Sequence, residues 1–378
     1  MAASRRTRIL IVDDSAVMRS LLRSVVIADT GLEVAGTAGD GESALSALEN
    51  LRPDLVLLDV EMPVMDGLAA LRKLRERGHK TPVIMCSSLT QRGAKVTIEA
   101  LSCGASDYVA KPAGQAGREA ATQALSQDLI PKIHALTGHL QQPWQQPGAP
   151  AAPRMPLFMP MAPPPRFQPF SSIPLVLAIG VSTGGPAALD ILLPALPEDF
   201  PLPVLIVQHM PELFTRPFAE RLNGRCRLLV HEAAEGDSVR AGAIYIAKGN
   251  WHMEVLAPSR IGSAPTLHLN QGLLENHCRP AVDVLFRSVA AVYGSGVLAV
   301  VLTGMGSDGL IGSGIVRDNG GCVLAQDQAT STVWGMPGAV TNAGLAHKVL
   351  ALNVIVPEIL RLACRTHSEA RELRESVV

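Results

Sequence analysis

The 378-residue sequence predicts an α/β protein built from two successive doubly wound, parallel sheets. Three observations carry that expectation. Short Val/Ile/Leu-rich runs alternate with helical patterning in both halves of the chain. The polar residues that interrupt the pattern fall at the carboxyl ends of those runs, where open α/β sheets place their sites. A proline-rich stretch with no periodicity separates the halves. Length and composition agree: 47% hydrophobic and 18% charged residues suit two domains with their own cores.

In the first half, 8–12 is an apolar strand ending in Asp13 and Asp14, followed by a helix on which Val17, Leu21, Leu22 and Val25 share a face. Strand 33–38 and helix 42–49 come next. Strand 55–58 ends at Asp59, and a helix spans 67–77 after a turn with Pro63 and Gly67. Strand 83–86 ends at Ser87 and Ser88, and strand 108–109 ends at Lys111 and Pro112. Asp13, Asp14 and Asp59 at one sheet crest would repel one another unless they bound a hard cation such as Mg²⁺. Asp59 is then the natural phosphoryl acceptor. Lys111 neutralises the charge, and Ser87 hydrogen-bonds the phosphoryl oxygens. Taken singly, an Asp after a strand is an ordinary cap and a Lys before Pro an ordinary surface residue. The joint spacing of DD, LLDVEMPVMDGL, MCSS and YVAKP is what makes the pattern specific.

Across about 130 residues those motifs resemble the response-regulator receiver family, which implies a flavodoxin-like five-stranded parallel sheet. The resemblance makes Asp59 the phosphorylated aspartate, with Asp13, Asp14 and Asp59 around Mg²⁺. It puts Ser87 and Lys111 on the phosphoryl group and makes Tyr108 the switch aromatic. It also implies a histidine kinase as phosphodonor.

From 140 to 173 the texture changes, with ten prolines between Pro143 and Pro169. This reads as an extended or disordered spacer. Its Met and Phe residues suggest that parts of it rest on a domain surface. The expected division is 1–136, a spacer over 137–172, and a second domain over 173–368.

The second domain opens with LVLAIGVSTGGP (175–186), a buried strand that stops in a glycine-rich turn, with Pro186 at the start of a helix. A strand ending in Gly-x-Ser-x-Gly holds Ser182 on a sharp bend with its hydroxyl beyond the sheet edge. The N–H groups of the following helix point to the same spot. Ser182 therefore reads as a nucleophile. Helix 187–193 and strand 203–207 follow, the strand ending in Gln208, His209 and Met210. Strand 243–246, hairpin strands 254–256 and 266–269, and helix 283–291 lead to strand 297–302. That strand runs into Thr303–Gly309, and strand 322–325 ends in Gln326 and Asp327.

A serine hydrolase needs a base and a carboxylate to orient it. His209 and Asp308 are the candidates because each follows an apolar strand, as Ser182 does. His231, His252, His268 and His277 stay open on position alone, and Asp327 rivals Asp308. The order Ser, His, Asp disfavours an α/β-hydrolase, in which the acid precedes the His. No Lys-Ser/Thr follows the glycines as a P-loop would require.

IGVSTGGPAAL, VLIVQHM, HCRPAVDVLF, VVLTGMGSDG and AQDQATSTVWGMPGA resemble the catalytic domain of CheB-type protein-glutamate methylesterases. Ala281 departs from a frequent Ser at a position outside the triad. The resemblance implies Ser182 as nucleophile, His209 as base and Asp308 as orienter. Thr183 and the Met305 N–H would support the oxyanion. It also implies deamidation of receptor glutamines, chemotaxis receptors as substrates, and no cofactor for the esterase.

A formal net charge of -1 argues against nucleic-acid binding, and no basic helix-turn-helix is present. Six scattered cysteines without a C-x-x-C pair read as reduced thiols in the cytoplasm. No run reaches the ~20 apolar residues of a membrane span. A regulator whose second domain only binds a partner is the alternative from another class; the complete set of triad candidates weighs against it.

Overall fold

The computed structural model describes residues 5–112, 117–138, 172–258, 260 and 262–364. The proline-rich reading therefore falls almost wholly outside the described residues.

The first sheet is formed by β1 (Thr7–Val12), β2 (Leu32–Ala38), β3 (Leu55–Asp59), β4 (Val83–Ser87) and β5 (Asp107–Ala110). All pairings are parallel, in the order β2-β1-β3-β4-β5. β3 and β4 are buried along their whole length because helices cover both faces, which is why they read as unbroken apolar runs. α1 (Ala16–Ala28) and α5 (Arg118–Thr137) cover one face, while α2 (Gly41–Leu51), α3 (Gly67–Glu76) and α4 (Gln91–Ser102) cover the other. The helix starts are set by local chemistry. Ser15, Asp40, Asp66 and Thr90 each accept a backbone N–H from the first turn of the helix they cap.

The second sheet has seven parallel strands in the order β14-β13-β12-β6-β7-β9-β8. They are β6 (Val176–Val181), β7 (Val204–Gln208), β8 (Leu229–Glu232), β9 (Ala243–Ile246), β12 (Val297–Val301), β13 (Cys322–Gln326) and β14 (Lys348–Leu350). β10 (His252–Leu256) and β11 (Thr266–Asn270) form the expected hairpin, antiparallel and separate from the sheet. α6 (Gly185–Leu192), α7 (Glu212–Asn223) and α11 (Leu352–Ala363) line one face. α8 (Val282–Tyr293), α9 (Leu310–Asp318), α10 (Met336–Asn342) and the hairpin line the other.

In both sheets the strand order reverses beside the first strand, and the chain leaves a crevice at that switch point. In the first sheet it lies between β1 and β3, and in the second around β6, between β12 and β7. The two layers are joined rather than merely tethered. The apolar cluster on the α2–α4 face continues into the cluster under α6, α7 and α11, and α4 packs on α6 and α7.

Several elements lie beyond the sequence expectations: α4, α5, α7, α9, α10, α11, β8 and β14. Proline stands inside α5, α7 and α11, at Pro131, Pro217 and Pro357, and interrupts the helical pattern. β8 and β14 are sheet edges with exposed residues, so neither reads as a buried run.

Candidate functional site

At the first crevice Asp13, Asp14 and Asp59 place carboxylate oxygens within 4.8 Å of one another. Asp13 and Asp59 are buried and Asp14 is exposed, so the cluster is open on one side. Lys111, after β5, reaches back with Nζ 2.8 Å from Asp13 and 2.7 Å from Asp59. Burial pushes the Asp59 carboxyl above its ordinary value, with Lys111 working against it. Burial lowers the Lys111 pKa, but the two carboxylates outweigh it and raise the value overall. One lysine balancing three carboxylates leaves an oxygen-rich, negatively charged site that fits a hard divalent cation. Ser87 is buried at the end of β4 with its hydroxyl on the Ser88 carbonyl.

At the second crevice the turn after β6 follows from its glycines. Gly184 has φ +77°, which an L side chain rarely adopts, and a Cβ there would meet Thr332 at 2.4 Å. Gly304 leaves room for Ser182, since a Cβ there would lie 2.8 Å from the Ser182 Cβ. The Ser182 N–H donates to the Thr303 carbonyl at 3.0 Å. Ser182 is half-buried, and its hydroxyl has no hydrogen-bond partner among the described residues. Val181 pairs with Gln208 in the parallel register, so Ser182 and His209 leave adjacent strands side by side. Gln208 ties them by donating from Nε2 to the carbonyls of Ser182 at 3.0 Å and His209 at 3.1 Å.

His209 Nε2 lies 2.8 Å from Asp308 Oδ2. Asp308 also accepts the N–H of Val282 at 2.6 Å and of Asp283 at 3.0 Å, both from the start of α8. Burial works against the Asp308 charge, yet His209 and those N–H groups outweigh it and hold its pKa below the usual carboxylate value. Burial likewise lowers the His209 pKa, but Asp308 and Cys278 raise it, with a net value of about 10. The ring's other nitrogen, Nδ1, faces Cys278 Sγ at 3.6 Å. Sequence reasoning missed Cys278, because only the fold brings a loop before α8 onto a residue after β7.

Three of the other candidate histidines, and Asp327, have different partners. His231 pairs with Asp237 and His268 with Glu235, while His252 bonds the Leu273 carbonyl and the Ala281 N–H. Asp327 is a turn former, accepting the Thr330 N–H and hydroxyl. Met305 lies in the loop between Gly304 and Asp308, whose shape is fixed where the Gly304 carbonyl accepts the N–H groups of Gly335 and Met336.

Thr183 faces the other domain. Its hydroxyl donates to Asp107 Oδ2 of β5 at 2.6 Å. Beside it the buried Tyr108 ring stacks on Phe214 of α7, with centroids 4.7 Å apart. Lys132 of α5 supports this corner by donating to the Tyr108 carbonyl at 2.7 Å.

Comparisons with known proteins give the family of each half of the chain. Residues 177–359 match the CheB methylesterase family model, and residues 9–122 match the response regulator receiver domain. A protein from Trichodesmium erythraeum named protein-glutamate methylesterase/protein-glutamine glutaminase is 45% identical over 94% of this chain and 98% of its own length. One of the same name from Nocardioides sp. is 48% identical over 95% and 96%. The chain belongs to the CheB methylesterase family. Among solved structures, the catalytic domain of Thermotoga maritima CheB methylesterase is 40% identical, covering 50% of this chain and all of that one, with a TM-score of 0.49. In this chain a receiver domain precedes the esterase domain, and the two relatives align with it over nearly their whole length. No described helix is long and apolar enough to cross a membrane.

Proposed function

We propose that this CheB methylesterase hydrolyses glutamate γ-methyl esters on chemotaxis receptors, and deamidates receptor glutamines, in the cytoplasm. We read 1–136 as the receiver, 137–172 as the spacer and 173–368 as the esterase. The observation that carries the reading is the 2.8 Å contact between His209 and Asp308 beside Ser182 at the switch point of the second sheet.

In the proposed mechanism Asp308 holds the Nε2–H of His209, which leaves Nδ1 as the basic nitrogen. Nδ1 takes the Ser182 proton as Oγ attacks the ester carbonyl, with Ser182 Oγ displacing the Cys278 thiol from that nitrogen. Thr183 and the Met305 N–H stabilise the oxyanion. His209 returns the proton to the departing methanol, or to ammonia from glutamine. Water then enters by the same route: its hydroxyl adds to the acyl carbon as His209 takes its proton, and His209 passes that proton to the departing Ser182 Oγ, which frees the glutamate.

Asp59 is the proposed phosphoryl acceptor, from a histidine kinase. Asp13, Asp14 and Asp59 would hold Mg²⁺, which supplies charge neutralisation when bound, and Ser87 and Lys111 contact the phosphoryl oxygens. Thr183 is pinned to Asp107 and Tyr108 to Phe214, so the receiver sits beside the nucleophile in this arrangement. Rearrangement of the Ser87–Tyr108 side on phosphorylation would loosen those contacts and open the cleft. The test is methanol release from methylated receptor membranes, with and without a small-molecule phosphodonor and Mg²⁺. Release that rises with donor and disappears in Ser182→Ala supports both halves. Release in Ser182→Ala at the wild-type rate removes Ser182 from the mechanism.

A further inference from the structure

A four-residue turn before α8 touches both members of the His–Asp pair. Glu275 and Cys278 close it by exchanging backbone hydrogen bonds, Glu275 N to Cys278 O at 3.1 Å and Cys278 N to Glu275 O at 2.8 Å. The two residues between them, Asn276 and His277, have φ +52° and +63°. Two successive left-handed residues make a type I′ geometry, normally the preserve of Asn and Gly. Histidine at the second position costs backbone strain, and such strain persists only where the surroundings over-determine it. The anchor is Arg287 of α8, whose guanidinium donates to Glu275 Oε2 at 2.7 Å.

The turn aims the Asn276 amide at two buried carboxylates. Nδ2 lies 2.9 Å from Asp308 Oδ1 and 2.9 Å from Asp283 Oδ2. An amide nitrogen has two hydrogens, and here each has its own carboxylate. Asp283 is fully buried and takes a further N–H from Gly312 at 2.6 Å. Without a shared donor these neighbouring acids would repel.

We propose that Asn276 is a positioning residue: by bridging Asp283 and Asp308 it fixes the carboxylate that orients His209. This rests on the His209–Asp308 reading given above. The backbone donors to Asp308 come from Val282, Asp283 and Gly309; the Asp283 N–H holds the start of α8 beside Asp308, but Asn276 is what joins the two carboxylates. Asn276 is the one side chain other than His209 that bonds Asp308 among the described residues. The ionisable groups around the bridge are His209 after β7, Asp283 and Arg287 on α8, Glu275 and Cys278 on the turn, and His252 on β10.

The experiment uses the full chain with phosphodonor, methylated receptor membranes and methanol release as a function of pH. Asn276→Ala should lower kcat by about 10–100-fold, the usual cost of losing a supporting contact, with KM unchanged. Asn276→Asp should be worse near neutral pH but recover relative to wild type as pH falls, because the introduced carboxyl regains a donor once protonated. A role confined to stability would move neither the kcat/KM split nor that acid recovery. Wild-type kcat in Asn276→Ala overturns the proposal, as does loss in both variants that only tracks a lowered melting temperature. Ser182→Ala in parallel separates the outcomes: its retention of activity defeats the underlying mechanism, whereas its inactivity beside a fully active Asn276→Ala defeats only the positioning role.

Discussion

The two crevices of this chain are built on the same plan and stabilised in opposite ways. In the receiver, charge is left deliberately unbalanced: three carboxylates face one lysine, and Asp13 and Asp59 are buried. In the esterase, charge is balanced almost to completion, because Asp308 accepts from His209, Asn276 and three backbone N–H groups. On the proposed reading the first site binds a cation and gains a phosphoryl group, and that needs residual negative charge. On the same reading the second site holds one proton in place while a bond breaks, and that needs every competing interaction already fixed. The same sheet geometry serves both because it presents strand ends and leaves the loops free to differ.

If the two regions are separable in chemistry and joined only by docking, each can be broken alone. The largest effect is expected from Ser182→Ala, which should reduce methanol release by about 10⁴-fold or more, as losses in serine triads do. The same variant should take up phosphoryl groups from a small-molecule donor at the wild-type rate, measured by acid-labile phosphate. The mirror experiment is Asp59→Asn. Its basal hydrolysis should match wild type, while the donor response, about 5–150-fold for a typical allosteric coupling, disappears. A donor response surviving in Asp59→Asn would place the acceptor elsewhere.

A smaller effect should come from the joint itself. Asp107→Ala removes the acceptor for the Thr183 hydroxyl while leaving Ser182, His209 and Asp308 and the receiver carboxylates in place. A hydrogen bond to a charged acceptor is worth about 1.5–3 kcal/mol, and Tyr108 on Phe214 remains. Basal methanol release without donor should therefore rise part of the way toward the stimulated rate, with less left for donor to add. An unchanged basal rate would show that Asp107 is not part of the restraint.

The same contrast explains what was legible in the sequence. Asp13, Asp59, Lys111, Ser182 and His209 all lie within a residue or two of a buried apolar strand, so strand-end reasoning finds them. Asp308 sits seven residues beyond β12 and is still reached, because the glycine-rich loop between them is short. Cys278 and Asn276 precede a helix in a stretch without apolar periodicity, and their contacts span 69 and 32 residues of chain. Neither spacing nor composition signals such a contact; it exists only once α8 is laid against β6 and β12. Thr183 is a parallel case. Its neighbour Ser182 marks the site, but its bond to Asp107 crosses 76 residues and depends on how the domains pack.

The finest test of the esterase's charge balance is the titration of His209. Its pKa lies above the ordinary imidazole value of 6.5, at about 10, with burial lowering it and Asp308 and Cys278 raising it further. A pKa raised on folding stabilises the folded state fully below about pH 6.5, and that contribution is lost as pH rises toward 10. Under the proposed mechanism activity runs the other way, since His209 as base must lose its proton before it can take one from Ser182. Wild type should therefore become less stable and more active across the same alkaline interval, as followed by melting temperature and by methanol release. Cys278→Ser removes one of the two groups that raise the pKa, so both transitions should move to lower pH together. The shift should be smaller than that produced by Asp308→Asn, because Asp308 makes the closer contact, 2.8 Å against 3.6 Å. Movement of the activity limb alone, with the stability limb unmoved, would mean that the thiol acts on the reaction and not on the resting imidazole.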